Sequence, residues 1–130
     1  MRGRKPEVQS VAESIESTMK PPAWLPADGK AEWKRVLPIL ITRRTLTDGD
    51  LASFANYCAA CGTVIQAQKV LAKEGLIFTG ATGPKRHPAT GIMNDAMTQA
   101  RQFAAELGLT PVSRSRPSMK DDQDDTFMDL

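Results

Sequence analysis

A chain of 130 residues, 41% hydrophobic and 25% charged, has room for one ordinary globular domain with tails. No run approaches the ~20 apolar residues of a membrane span, and the basic start MRGRKPEVQS lacks the apolar centre of a secretory signal. Two cysteines three apart make no disulfide scaffold and point to a reducing cytoplasm. The net charge of +2 is unevenly spread. Residues 118–130 set Lys120 against Asp121, Asp122, Asp124, Asp125 and Asp129, a net of −4, so residues 1–117 carry +6. A basic body with an acidic tail suits a nucleic-acid partner together with a protein partner.

Residues 1–20 are polar without a sustained apolar period and read as a flexible basic arm, with transient helix around Val8–Ile15. Pro21, Pro22 and Pro26 mark an extended entry. Asp28 is a candidate N-cap, and Trp33, Val36, Leu37 and Leu40 give an amphipathic first helix over 28–42. Pro38 should kink that helix or end it early. Thr47 with Asp50 reads as a capping box. Leu51, Phe54, Ala55, Cys58, Cys61 and Ile65 then share helical spacing, and the pattern runs through Val70 and Leu71 to Gly75. One long helix over 48–74 follows, with a bend expected at Gly62. The glycine- and proline-rich stretch LIFTGATGPKRHPATG reads as a small hairpin or ordered loop. Ile92, Ala96, Ala100, Phe103 and Leu107 define a second long helix over 89–107, stopped by Gly108. The fold class is mostly α: a helical domain over 21–117, an arm over 1–20 and an acidic disordered tail over 118–130.

No catalytic constellation emerges. Cys58-x-x-Cys61 with the single His87 is one ligand short of a zinc site, and both cysteines fall mid-helix near the apolar face, so they read as core. Gly80 through Lys85 lacks the spacing of a phosphate loop, and Pro84 removes an N–H such a cradle needs. A turn presenting Lys85 and Arg86 is the better reading. His87, before Pro88 at a helix entry, reads as a capping or hydrogen-bonding residue. No metal, cofactor or enzymatic activity is expected.

Two basic clusters suit DNA. Arg2-Gly3-Arg4-Lys5-Pro6 resembles the arms that place arginines in a minor groove, with a solvated basic terminus as the alternative. Arg43 and Arg44 stand beside the capped start of the long helix, where unpaired N–H groups also favour phosphate. Lys85 and Arg86 form the competing site.

The order of these features resembles the phage terminase small-subunit family, in its short helical branch. The resemblance covers about residues 20–117. It rests on Pro22 through Trp33, Leu46-Thr47 with Asp50, Gly75, His87-Pro88, and Glu106-Leu107-Gly108-Leu109-Thr110-Pro111 followed by Ser113-Arg114. Gly3-Arg4-Lys5-Pro6 also looks like the start of many members. The resemblance implies a subunit in the host cytoplasm that recognises viral double-stranded DNA and forms a homo-oligomeric ring. Such a subunit loads DNA onto a large subunit that carries the ATPase and nuclease. A helix-turn-helix regulator, or a structural head-assembly protein without DNA contact, are the alternatives. The acidic tail, with Phe127, Met128 and Leu130 as apolar anchors, is expected to contact the large subunit or temper non-specific DNA binding.

Overall fold

A computed structural model describes residues 13–111. Helix α1 spans Ala27–Arg43, a 3-10 turn spans Asp48–Asp50, and helix α2 spans Leu51–Glu74. A hairpin follows, with β1 at Ile77–Gly80 and β2 at Gly83–Arg86, and helix α3 spans Pro88–Glu106. The fold is mostly α, with three helices and one two-stranded antiparallel sheet.

The first helix starts one residue before Asp28. Pro26 occupies the N-cap position in extended conformation, and its carbonyl accepts from the Lys30 N–H at 2.9 Å. Asp28 is therefore not the cap. It lies in the first turn, where its charge suits the helix N-terminus, and it pairs with Lys69 of α2 at 3.4 Å. Pro38 does not end the helix, which runs on to Arg43. Its ring leaves the Lys34 carbonyl without a helical donor, but both residues are exposed and water can serve instead.

Trp33, Val36, Leu37 and Leu40 bury the inner face of α1 as their spacing predicts. Trp33 meets Phe54 of α2 with ring centroids 4.5 Å apart. The two helices come closest at glycines. A Cβ on Gly62 would sit 2.8 Å from the Gly29 N, and one on Gly29 would sit 3.1 Å from the Cys58 carbonyl oxygen. Gly62 is thus a close-approach residue on the buried side of α2, which explains its presence inside a helix.

Helix α3 packs along α2 through Ala89, Met93, Ala96, Ala100, Phe103 and Leu107, spaced alternately four and three residues apart. Ile92 stands one position off this seam, about 100° around the helix, and is 54% exposed. Its expected place on the buried face is therefore not observed. Ile65 of α2 is likewise exposed, because Ala67 and Leu71 are the residues that pack against α3 in that half of the helix. Gly108, at φ 72°, ends α3. The Leu109 N–H reaches the Ala104 carbonyl at 2.8 Å and the Gly108 N–H reaches Ala105 at 3.2 Å, the paired bonds of a Schellman stop.

The entry segment departs from the expected arm. Ile15 is buried in the main core, and its N–H donates to the Leu46 carbonyl at 2.7 Å. Ser14 forms an isolated antiparallel bridge with Thr47. Met19 lends its carbonyl to the Trp33 indole N–H at 3.0 Å. One apolar residue among polar neighbours makes this anchor, too little to produce a period in the sequence. The expected transient helix lies almost wholly outside the described residues.

Candidate nucleic-acid interface

The α1–α2 turn is built from two opposed caps. The Arg44 N–H bonds back to Ile41 at 3.0 Å and the Thr45 N–H to Leu40 at 3.3 Å, which closes α1. This geometry puts Arg44 in the left-handed region at φ 58°, the position glycine normally takes and Gly108 takes at the end of α3. Buried Leu46 then plugs the core, and Asp50 Oδ2 accepts from both the Thr47 N–H and the Thr47 hydroxyl at 3.0 Å. The capping box read from the sequence is present.

Arg43 and Arg44 are both exposed on this turn. Arg43 Nη1 donates to the Gly108 carbonyl at 3.3 Å, so it also ties the ends of α1 and α3 together. That carbonyl follows the end of a helix, where a cation is favoured. Arg44 has no such bond among the described residues and is turned out of the fold by its backbone. Arg2, Arg4 and Lys5 lie outside the described residues. The Ser14–Thr47 bridge sets the first described residues beside the Arg43–Arg44 turn.

Lys85 and Arg86 are exposed on β2, and the structure does not bring them to that turn. The turn lies at the start of α2 and the hairpin at its end. Twenty-four helical residues separate them by roughly 35 Å. In the hairpin, Phe78 pairs with Lys85 and Ile77 with Arg86. Residues Gly80 and Gly83 close the register around Ala81 and Thr82, so the segment is a turn and not a phosphate cradle.

His87 joins the hairpin to α3. Its Nδ1 accepts from the Ala89 N–H at 3.0 Å, which caps the helix and leaves Nε2 to donate to Glu74 Oε1 at 2.7 Å. The His87 N–H also reaches the Leu76 carbonyl at 2.8 Å, and Pro88 takes the first helical position. The expected structural role is what the geometry shows.

The cysteines sit as core residues. Cys58 is fully buried, and burial pushes its thiol up to about 12. Burial likewise raises Cys61. A neutral, desolvated thiol is a poor nucleophile and a poor metal ligand. No group of three or more potential ligands is gathered among the described residues. Among the described residues a dense polar cluster braces α1 against α2. Glu32 accepts from Arg35 at 2.9 and 2.6 Å and from the Tyr57 hydroxyl at 2.6 Å. Arg35 first, and Tyr57 with it, holds the Glu32 carboxyl below the usual carboxylate range against the opposing effect of burial.

The sequence reading missed a further basic feature. Lys20 and Lys34 flank an apolar groove of about 340 Å³ formed with Met19, Pro21, Trp33 and Pro38. No spacing signals it, because the groove needs the entry strap to meet α1, which the polar sequence conceals.

A family model described as phage terminase, small subunit, matches residues 29–124. The chain belongs to that family. Neither the curated proteins nor the solved structures gave a match. Membership places this subunit in phage DNA packaging. No helix among its described residues is long and apolar enough to cross a membrane.

Proposed function

We infer that the subunit recognises viral double-stranded DNA, assembles into a closed oligomer and delivers DNA to a large subunit that carries the ATPase and nuclease. The observation that supports this most is the Ser14–Thr47 bridge. It brings Ser14 beside the turn of Arg43 and Arg44, which supports a role for Arg2, Arg4 and Lys5 on the same stretch of DNA. Eight residues lie between Lys5 and Ser14, nine chain steps that span up to about 30 Å. Five cations can then act on one stretch of duplex, the arm in a groove and the turn on the backbone. Assembly is supported by Ile65, Ile92 and Met97, which stay exposed on α2 and α3.

The test replaces all five cations by Ala and measures affinity for viral DNA against salt. Each lost phosphate contact lowers the slope of log affinity against log salt by roughly 0.9. Weaker binding and a flatter slope are expected, with the oligomer unchanged. Full binding by that variant, with loss of binding by Lys85→Ala/Arg86→Ala, overturns the placement. Native mass spectrometry with and without DNA tests assembly, since a dimer on a palindromic site would instead mark a regulator.

A further inference from the structure

The hairpin presents a combination that neither the core nor the DNA surface uses. Leu76 is 63% exposed, Ile77 66% and Phe78 40%. Directly opposite residues of an antiparallel pair share a face, so Ile77 stands with Arg86 on one face and Phe78 with Lys85 on the other. Leu76, Ile77, Pro84, Lys85, Arg86 and Thr90 line one open groove of about 430 Å³. Residues 76–87 contain no acidic side chain, and neither Lys85 nor Arg86 forms an ion pair with a described residue. A fitting occupant must therefore offer carboxylates and apolar side chains together. Duplex DNA offers charge but nothing for Leu76 and Ile77.

We propose that the chain's own C-terminal segment, residues 120–130, docks along this groove. Asp121, Asp122, Asp124, Asp125 and Asp129 complement Arg86 on the Ile77 face and Lys85 where it borders the groove, and Phe127, Met128 and Leu130 cover Leu76 and Ile77. The reach is sufficient. The described chain ends at Pro111, just beyond the end of α3, and the hairpin adjoins the start of α3. Eighteen helical steps are about 27 Å, whereas the sixteen residues from Pro111 to Phe127 extend to as much as ~53 Å. Tethering at that range gives an effective concentration of order millimolar, enough for contacts too weak to hold a free peptide. Docking would shield Lys85 and Arg86 from DNA and hold the tail away from other partners. It does not depend on the DNA reading, and its test contains no DNA.

The test follows backbone amide signals of the full chain by NMR. In the wild type, raising salt from about 50 to about 500 mM should shift signals of residues 76–86 and 121–130 together, because screening weakens charge pairing. Lys85→Glu with Arg86→Glu should move the signals of residues 121–130, distant in sequence, and reduce the docked population about tenfold. Ile77→Ser should move the same signals while leaving both cations in place. Amides of residues 27–60 report that the fold is intact. If residues 121–130 ignore both variants and the salt, the segment does not dock here.

Discussion

The two halves of α2 meet different surroundings. From Leu51 to Gly62 the helix lies between α1 and α3, and Phe54, Ala55, Tyr57, Cys58 and Ala60 are all buried. From Thr63 to Glu74 the apolar packing is against α3, α1 reaching it through the exposed Asp28–Lys69 pair, and the cluster there reduces to Ala67, Leu71 and Ala89, with Val70 and Met93 partly covered. The first half is anchored by aromatics and a tethered entry strap; the second by alanines, one leucine and a histidine cap. A helix with one neighbour buries one stripe and leaves the rest to solvent or to a partner. That is why Ile65, Ile92 and Met97 remain exposed and why the second half is the place to look for assembly.

The widest expected gap between the halves is in core truncation. Leu40→Ala should cost toward the upper end of about 2–5 kcal/mol, and Leu71→Ala toward the lower end, because a thinner site relaxes more easily. Urea unfolding of both variants checks this, and equal losses would mean that the second half is as firmly packed as the first. Next comes Gly62→Ala, at the border. The added methyl meets backbone at Gly29, so a loss of about 1–3 kcal/mol is expected despite the better helix propensity of alanine. A neutral or stabilising result, read from the same unfolding midpoints, would show that α1 can slide on α2.

His87→Ala removes the α3 cap and the tie to Glu74, for about 1 kcal/mol. Amide exchange should rise at residues 86–93 and not at 33–58, which tests whether the second half opens by itself. The smallest effect carries the opposite sign. Arg44→Gly relieves the left-handed backbone and should stabilise by roughly 0.5–1 kcal/mol, since the strain outweighs the extra unfolded-state freedom of glycine. The same substitution should weaken DNA binding. A variant more stable and equally tight on DNA would remove Arg44 from the interface.

Much of this was legible in the residues. The helix bounds, the Thr47–Asp50 box, the Gly108 stop and the His87 cap all follow from local chemistry. Their signals lie within a few residues of the structure they dictate. What escaped is what depends on partners far along the chain. Spacing placed Ile65 and Ile92 on apolar faces, but only the arrangement of three helices decides which stripe is covered. Pro38 points to a kink or an early end, and the helix does not end there because that face is exposed, which the sequence does not show. That Gly62 serves the close approach of Gly29 is a tertiary fact that spacing does not carry. At the candidate site the basic residues were plain, but their division into a turn and a hairpin some 35 Å apart was not.

The strap at Ser14 and Ile15 also bears on the order in which the fold closes. The β-hairpin and the caps join neighbours in sequence, whereas Ile15 must find Leu46 across thirty intervening residues. Closing such a loop costs entropy that grows with the logarithm of its length and brings little until α1 and α2 are already paired. The strap is thus expected to form late and, by the same balance, to release early as a local opening rather than a global one. A subunit that lets go there keeps its helices while residues 13–15 leave the Thr47 turn, so the hold of the entry strap is set by an opening equilibrium at one buried isoleucine.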